Sequence, residues 1–453
     1  MTRLRKIDLP DFGDPGPQPQ IPRETFAGRA DAAYERAGCD WLVVYADREH
    51  LGNIAFLTGF EPRFEEALLL LGSGGRRVLL TGNESESYAP LARLPGLGVL
   101  VAQSLSLMAQ DRTRHPRLAD RLRDAGLRPG DNVGLVGWKY LEPFERDGGG
   151  DAFYVPAAHV SAIRQAIGAG GDLSDATPVM MHPATGLRAT VDADQIAAWE
   201  WSAMRVSQAV WRIVSGARDG DSEFVAAGRM GYQGDPINCH VMFASASAGE
   251  PVIGLRGPSA RTIRRGDGVT TAVGYWGALS SRAGLLDTGD DDFLKLATSY
   301  FDGLRRWYEI ADIGVAGGDI HETVVARLAE GGLRPALNPG HLTGHEEWMH
   351  SPVRPGSSET IASGMPFQVD VIPTPMPDGR ALNCEDPVAF ADAALRAELA
   401  ARHPQTMARI EARRAFMRNR LGVDVRPSIM PLSSTPLCLP PFWLSPDRLL
   451  VAG

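Results

Sequence analysis

Short apolar runs separated by glycine and charged residues recur through the first part of the chain. Runs of this length and pattern are typical of buried strands. A helix is predicted before the first run, over 22–38, and an amphipathic helix is predicted between two later runs, over 117–125. The Pro- and Gly-rich stretch 8–22 predicts an extended arm. The alternation of strands with helices predicts an α/β domain with a partly parallel sheet. The predicted strands cover residues 41–45, 67–71, 78–80, 98–101 and 133–136.

A change to helical periodicity marks a second domain. After Asp192, which with Asp194 is a candidate N-cap, apolar residues recur in steps of three and four as far as Ile213. Another amphipathic helix is predicted over 292–308. Because 453 residues exceed what one hydrophobic core usually spans, we expect two domains, residues 1–187 and residues 188–453.

Composition and charge exclude some classes of partner. The chain carries 46 Lys and Arg against 55 Asp and Glu, a net charge of −9, so a nucleic acid would meet net repulsion. No uninterrupted apolar run reaches the roughly 18 residues that a membrane span needs. The four cysteines are scattered without CxxC pairs, which favours reduced thiols. We therefore expect a cytoplasmic protein that binds neither nucleic acid nor membrane.

Three of the ten histidines, His341, His345 and His350, fall within ten residues of one another. Imidazole suits metal ligation or proton transfer near neutral pH. The glycines beside these histidines would let backbone or substrate approach closely. A polar loop with surface histidines explains the same cluster equally well, so the cluster alone does not establish a site.

Two acidic residues downstream lie within or beside apolar, strand-like runs. Asp370 follows Pro366-Phe-Gln-Val, and Glu385 stands in Asn383-Cys-Glu-Asp-Pro-Val. A carboxylate in such a place is costly unless it is paired, protonated or bound to a metal. With His341 these residues have the composition of a one-histidine, two-carboxylate site for one divalent ion, such as Mn, Co or Zn.

In this order, the three segments resemble those of the creatinase, prolidase and Xaa-Pro aminopeptidase family. Family members carry Gly-His-x-x-Gly, then Gly-Met-x-x-x-x-Glu-Pro, then Arg-x-Glu-Asp-x-Val. The matching stretches here are GHLTG from Gly340, GMPFQVDV from Gly364 and NCEDPV from Asn383. Other stretches similar to family motifs are NIAFLTGF at 53–60, GARDGDSE at 216–223 and PSARTIRRGD at 258–267.

The resemblance implies an α+β protein, with a creatinase-type α/β N-terminal domain followed by a pita-bread catalytic domain, and it implies a homodimer. It places His341, Asp370 and Glu385 on three of the family's five metal-ligand positions, with Asp370 as a shortened substitute for Glu. On the most natural register, Ala272 and Ser281 stand at the two aspartate positions. Without those carboxylates we do not expect a dinuclear centre.

Two further positions keep two interpretations each. The family's catalytic histidine ahead of the Pro-Ser segment is absent, because Leu255 or Arg256 stands there. Arg256 could bind a substrate carboxylate through its planar charged fork, or it could be a surface arginine. His240, one predicted strand earlier, could supply the imidazole or be a satisfied core histidine.

Creatinase itself, as the family is known, works without metal, and this chain resembles it in having lost the aspartates. The leading hypothesis is therefore a creatinase-like hydrolase or lyase acting on a C–N bond of a small amino-acid or amidine-like substrate. His341 or His345 would transfer protons, while Asp370 and Glu385 would polarise water or bind a cationic group. The residues expected to contact the substrate are Arg256, His240, Trp276, Trp348 and His350.

Two alternatives stay open. One is an Xaa-Pro aminopeptidase or dipeptidase that uses a single metal ion on His341, Asp370 and Glu385. The other is a catalytically silent protein that retains the fold and binds a small molecule. A small-molecule or dipeptide partner is expected in either case, and its identity depends on loops that a sequence does not place in space.

Overall fold

The structure, a computed structural model, describes residues 2–146, 148 and 150–453 and divides into two compact units. The N-terminal unit comprises Ile21–Ala189 and Gly344–His350. The C-terminal unit comprises 2–20, Thr190–Thr343 and Ser351–Gly453. The division differs from the expected domains 1–187 and 188–453 in three segments. Residues 2–20 lie in the C-terminal unit, and residues 188–189 and 344–350 lie in the N-terminal unit. Those domain boundaries stay a prediction.

The first residues form strand β1 (Arg3–Lys6) and then an arm without helix or strand, as the Pro- and Gly-rich composition predicts. The Phe12 ring packs edge-on against Phe416, with 6.1 Å between ring centroids. The indole of Trp201 donates a hydrogen bond to the Gly16 carbonyl at 2.8 Å. The arm is therefore packed against the rest of the C-terminal unit.

The N-terminal unit is a six-stranded mixed sheet with helices. Along the sheet the strand order is β5-β4-β3-β2-β6-β7, with parallel pairs at β4–β5, β2–β6 and β6–β7. The partly parallel sheet predicted from sequence is confirmed. The elements are α1 (Arg23–Ala37), β2 (Trp41–Ala46), α2 (Gly52–Thr58), β3 (Ala67–Gly72), β4 (Arg76–Thr81), β5 (Gly98–Val101), α3 (Leu118–Ala125), β6 (Asn132–Val136), α4 (Ala157–Ile167), β7 (Asp172–Asp175) and α5 (Thr177–Met181).

The C-terminal unit is built on antiparallel strands and long helices. Asp192 is the N-cap of the first helix, because its side chain accepts a hydrogen bond from the Gln195 backbone N–H. The elements are α6 (Ala193–Gly216), α7 (Glu223–Gly228), β8 (Met242–Ala246), β9 (Gly268–Tyr275), β10 (Ala278–Leu285), α8 (Asp291–Ile310), α9 (Gly317–Ala329), β11 (Arg334–Pro335), β12 (His341–Leu342), β13 (Pro366–Val369), β14 (Pro373–Thr374), β15 (Asn383–Phe390), α10 (Ala393–Arg402), α11 (Pro404–Asn419), β16 (Ile429–Pro431) and β17 (Arg448–Val451).

Seven strands of this unit form one antiparallel sheet, in the order β12-β13-β15-β10-β9-β8, with β16 also paired to β15. Helix α6 packs against β9 and β10, and α8 packs against α9. The predicted apolar face of α8 is confirmed at Phe293, Tyr300, Leu304 and Trp307, which are buried, whereas Leu296 on the same face is half-buried. Among the described residues, no helix combines the length and apolar character that crossing a membrane requires.

Candidate functional site

A row of three residues crosses the middle of the C-terminal sheet. On β10, Ser281 lies directly opposite Ala272 of β9 on one side and Glu385 of β15 on the other. Residues directly opposite one another in antiparallel strands project from the same face of the sheet. Ala272, Ser281 and Glu385 therefore face the same side, and only Glu385 carries a charge.

The neighbouring strands bring two further polar residues to this face. His341 begins β12, Asp370 directly follows β13, and Glu385 is on β15, so three strands adjacent in the sheet contribute one residue each. Each of the three offers one ligand atom, and these atoms all lie within 4.8 Å of one another. Within the described part of the chain, this is the one group of three or more His, Cys, Asp or Glu side chains close enough to hold a metal ion.

Hydrogen bonding fixes which ring nitrogen of His341 faces outward. The Nδ1 atom lies 2.8 Å from the Leu342 carbonyl oxygen, which can only accept, so Nδ1 carries the proton. The lone pair of the neutral ring is then on Nε2. A backbone carbonyl that orients an imidazole in this way is the usual companion of a metal-binding histidine.

The glycine ahead of His341 permits this placement. Gly340 has φ of +104°, a conformation that other residues rarely adopt. A Cβ atom at this position would lie 3.0 Å from the Gln368 carbonyl oxygen on the next strand. The close approach of β12 to β13, which brings His341 into the group, therefore requires glycine.

Asp370 is a buried carboxylate with an unsatisfied oxygen. Its Oδ1 atom has no hydrogen-bond partner among the described residues, although the residue is only 7% exposed. Burial raises the pKa of Asp370, and the nearby His341 offsets part of that rise. An ionised carboxylate here would be stabilised by a cation or by a donor from a bound molecule.

Gln368 completes the polar face, although the motifs in the sequence did not point to it. Its amide Nε2 donates to the Leu279 carbonyl at 2.8 Å and to Glu385 Oε1 at 3.3 Å. The signal in the sequence was its position two residues before Asp370, because alternate residues of a strand share a face. Gln368 thus orients the Glu385 carboxylate.

Neutral groups occupy the part of the face where the family pattern has aspartates. The Asn383 side-chain Nδ2 donates to Ser281 Oγ at 3.0 Å. Tyr300, which is fully buried, donates its hydroxyl proton to the Val371 carbonyl at 2.7 Å. Its hydroxyl oxygen accepts from the Cys384 backbone N–H at 3.0 Å. One hydrogen bond therefore links Asn383 to Ser281, and neither residue carries a charge.

A buried ion pair supports the site from the opposite face of the sheet. Arg282 and Asp386 each follow a residue of the central row, so their side chains project the other way. The Arg282 Nη2 atom lies 2.9 Å from both carboxylate oxygens of Asp386. Arg282 also donates to the Glu385 carbonyl oxygen at 3.0 Å, which ties the pair to the backbone of the site.

Arg256 and His240 have partners close by in the C-terminal unit. Arg256 Nη2 donates to Glu223 Oε1 at 2.7 Å, and the Glu223 side chain is fully buried. The ring Nε2 of His240 lies 2.8 Å from the Leu255 carbonyl, and the residue is exposed rather than in the core. Both are anchored within this unit, and their predicted contact with a substrate stays a prediction.

Trp276 is the first residue of the two-residue turn that joins β9 to β10. Its φ of +53° is uncommon for a residue with a side chain, and the following Gly277 has φ of +84°. The indole N–H donates to Asp235 Oδ1 at 3.2 Å, and the ring packs edge-on against Trp201. Since Ala272 is four residues away, Trp276 lies about 13 Å along the strand from the central row.

His345 belongs to the N-terminal unit, unlike His341. Burial and the positive charges of Arg188 and Arg29 lower the pKa of His345 to about 3. Its neighbour Glu346 forms an ion pair with Arg188, and both side chains are almost fully buried. A ring that stays neutral at physiological pH is poorly suited to donate a proton, so His341 is the better candidate of the two.

Trp348 and His350 also belong to the N-terminal unit. The Trp348 ring lies 5.0 Å from Trp138 and 5.3 Å from His50, measured between ring centroids. His350 Nε2 lies 3.3 Å from Glu142 Oε1. Residues 344–350 are therefore integrated into that unit through an ion pair and aromatic contacts, and the predicted substrate contacts of Trp348 and His350 stay a prediction.

The donor set fits one metal ion rather than two. One imidazole nitrogen and two carboxylates converge, and one carboxylate oxygen of Asp370 lacks a partner. A two-metal centre needs carboxylates that bridge and chelate both ions. At the positions in question Ala272 offers no ligand atom, and Ser281 offers only a neutral hydroxyl, which accepts a hydrogen bond from Asn383.

Comparison with known proteins agrees with this architecture. No family model matches the sequence, and no curated protein matches it. Among solved structures, the chain is similar to a prolidase from Pyrococcus horikoshii OT3, with 14% identity over 81% of this chain and 95% of that chain and a TM-score of 0.62. It is also similar to the dipeptidase PepE from Mycobacterium ulcerans, with 18% identity, coverage of 82% and 95%, and a TM-score of 0.61.

The X-Pro aminopeptidase from Thermotoga maritima MSB8 gives the same result, with 16% identity, coverage of 81% and 95%, and a TM-score of 0.61. These similarities span nearly the whole of each known structure. The predicted fold class is therefore confirmed: an α/β N-terminal region followed by the pita-bread fold.

Proposed function

We propose that this protein is a hydrolase of the creatinase, prolidase and Xaa-Pro aminopeptidase family that cleaves a C–N bond in a small peptide or amide. In this proposal His341, Asp370 and Glu385 hold one divalent cation. The observation that carries it is the convergence of their ligand atoms within 4.8 Å, with Asp370 Oδ1 buried and without a partner. The similar solved structures are named as prolidases, dipeptidases and aminopeptidases, which supports a peptidase type of reaction.

A divalent cation bound by these residues would polarise the scissile carbonyl and lower the pKa of a bound water. The chain's own residues set the geometry. The Leu342 carbonyl holds the His341 proton on Nδ1, so Nε2 would be the nitrogen that binds the cation. Gln368 holds Glu385 through its amide N–H, and the two carboxylates of the site would balance the charge of the cation.

The charges and chemical types of the available ligand groups favour a site for one metal ion over a site for two. Three donors with two negative charges match one divalent ion. A second ion beside Ala272 and Ser281 would face a methyl group and a hydroxyl instead of carboxylates. Such a position offers too little negative charge to compensate the dehydration of another cation.

A metal-free, creatinase-like reaction is the second candidate, favoured by the loss of the two aspartates at Ala272 and Ser281. There His341 would carry the proton, and Asp370 and Glu385 would bind a cationic group of the substrate. The same carboxylates serve both candidates, so the discriminating question is whether turnover requires a metal.

We further propose that the protein is cytoplasmic and, from the family resemblance, that it is a homodimer. Sedimentation of the purified protein at several concentrations would test the dimer.

The proposal is tested by assaying hydrolysis of a panel of Xaa-Pro dipeptides and small guanidino compounds. Each assay compares protein loaded with Mn²⁺, protein treated with chelator and the variant His341→Ala. We expect hydrolysis of at least one amide substrate that is lost on chelation, restored by Mn²⁺ and absent in the variant. Turnover that is unaffected by chelation would instead support the metal-free candidate. No turnover of any compound by metal-loaded protein would favour a silent binding protein.

A further inference from the structure

Gln368 has a buried amide oxygen that its surroundings leave unsatisfied. The residue is fully buried, and its Oε1 atom has no hydrogen-bond partner among the described residues. A buried polar atom without a partner typically costs about 1–3 kcal/mol. Such atoms are rare in folded proteins unless a bound group satisfies them.

The orientation of this amide is fixed by its other end. Nε2 donates to the Leu279 carbonyl oxygen and to Glu385 Oε1, two atoms that only accept when the carboxylate is ionised. Exchanging the amide nitrogen and oxygen would place three acceptors against one another. Since the two amide atoms are about 2.2 Å apart, Gln368 Oε1 lies within about 5.5 Å of Glu385 Oε1.

The surroundings place this oxygen among the proposed ligands. Gln368 is directly opposite His341 in the pairing of β12 with β13, so both project from the same face. Asp370, two residues further on, shares that face and has the second unsatisfied buried oxygen, Oδ1. Two buried acceptors without donors, next to an imidazole lone pair and a carboxylate, are complementary to a cation.

We propose that Gln368 Oε1 is a fourth protein donor to the single cation, supplying part of what the absent aspartates at 272 and 281 would provide. This inference rests on the proposed function. The donor set becomes one nitrogen and three oxygens, and amide and carboxylate oxygens suit hard cations of the Mn²⁺ class. Gln368 thus acts as a ligand in addition to holding Glu385.

The test is a Mn²⁺ titration followed by the electron paramagnetic resonance signal of the free ion, on the full chain. Gln368→Met keeps the length of the side chain but removes both amide atoms, and we expect Mn²⁺ affinity to fall at least about tenfold. Gln368→Glu restores an oxygen donor and adds charge, so we expect affinity equal to or tighter than that of the wild type. Gln103→Met is the matched control, a fully buried glutamine of the N-terminal unit whose loss should not alter Mn²⁺ binding.

The Glu variant separates the two roles of Gln368. If the amide only positioned Glu385 through its N–H, a second carboxylate would repel Glu385, and Gln368→Glu would bind Mn²⁺ as weakly as Gln368→Met. That result, or unchanged affinity in Gln368→Met, would overturn the assignment of Gln368 while leaving the single-ion site intact. A wild-type protein that binds no Mn²⁺ would instead overturn the proposed function on which the assignment rests.

Discussion

Ser281 and Glu385 lie directly opposite each other on adjacent strands, so a hydroxyl faces the carboxylate across the centre of the sheet. Ala272 lies directly opposite Ser281 on its other side. Ala272 and Ser281 are the positions where a two-metal site would need carboxylates. Both positions are thus in register with Glu385, which belongs to the proposed one-metal site. This relationship allows the missing half of the site to be restored by substitution.

Restoring two carboxylates should restore a second metal ion. We expect the double variant Ala272→Asp with Ser281→Asp to bind two equivalents of Mn²⁺ per chain, compared with one for the wild type. The physical reason is that two added charges on the same face supply bridging and chelating oxygens. Metal analysis after equilibration and desalting measures this. The matched control, Ala272→Asn with Ser281→Asn, adds similar bulk without charge and should stay at one equivalent or below.

The two neighbouring histidines should behave differently when each is removed. His341→Ala should weaken Mn²⁺ binding at least about 100-fold, because the substitution removes a direct ligand. A loss of this size lies at or above the largest effects usually seen when a residue that only supports a ligand is removed, about 10–100-fold. His345→Ala should leave the affinity unchanged, since His345 is a neutral ring held in the N-terminal unit beside Arg188. Calorimetric titration of both variants tests the distinction. Equal losses in the two variants would contradict it.

Replacing Asp370 should stabilise the metal-free protein at neutral pH while abolishing metal binding. Burial raises the pKa of Asp370 in the folded protein above its ordinary value, so the folded form holds this proton more tightly than the unfolded chain does. The free energy of unfolding therefore falls as the pH rises from the ordinary pKa of an aspartate to the raised pKa of Asp370 in the folded protein. Above the folded-state pKa, the full cost of the buried charge is present.

Asp370→Asn removes the buried charge, and we expect a gain of about 1–3 kcal/mol in the free energy of unfolding at pH 7. The gain should shrink as the pH falls through the folded-state pKa and vanish at acid pH, where Asp370 is protonated in both states. Melting temperatures measured with chelator across this pH range check the sign. A gain that grows towards acid pH would contradict the account.

The ion pair behind the site should matter for stability rather than for chemistry. Asp386→Ala leaves the fully buried Arg282 without its carboxylate, and breaking a buried pair of this kind typically costs about 3–5 kcal/mol. Equilibrium unfolding in urea measures the loss. Asp292→Ala, which breaks an exposed pair with Lys295, is the control and should have little effect. Comparable losses in the two variants would show that burial is not the cause.

Local patterns in the sequence predicted the fold well because its elements follow simple periodicities. Strand 98–101 has the predicted bounds, and helix 22–38 differs by one residue at each end. Asp192 caps α6 because its short carboxylate accepts from a backbone N–H three residues on, which spacing alone can indicate. Segments that resemble family motifs, such as GHLTG from Gly340, then linked these elements to a known architecture.

The site was only partly predictable, because neighbours along the chain need not be neighbours in the fold. His341, Asp370 and Glu385 come together as the order of motifs predicts. His345 is four residues from His341 but belongs to the other unit, which a ligand pattern cannot reveal. Gln368 was overlooked because an uncharged amide attracts attention only once its oxygen is seen to be buried and unsatisfied.

The proposed function depends on His341, Asp370 and Glu385, on three adjacent strands, holding one divalent cation. Its most direct test is the metal content, by plasma mass spectrometry, of purified protein equilibrated with Mn²⁺ and then desalted. We expect one equivalent per chain in the wild type and none in His341→Ala. Two equivalents in the wild type, or none, would contradict it.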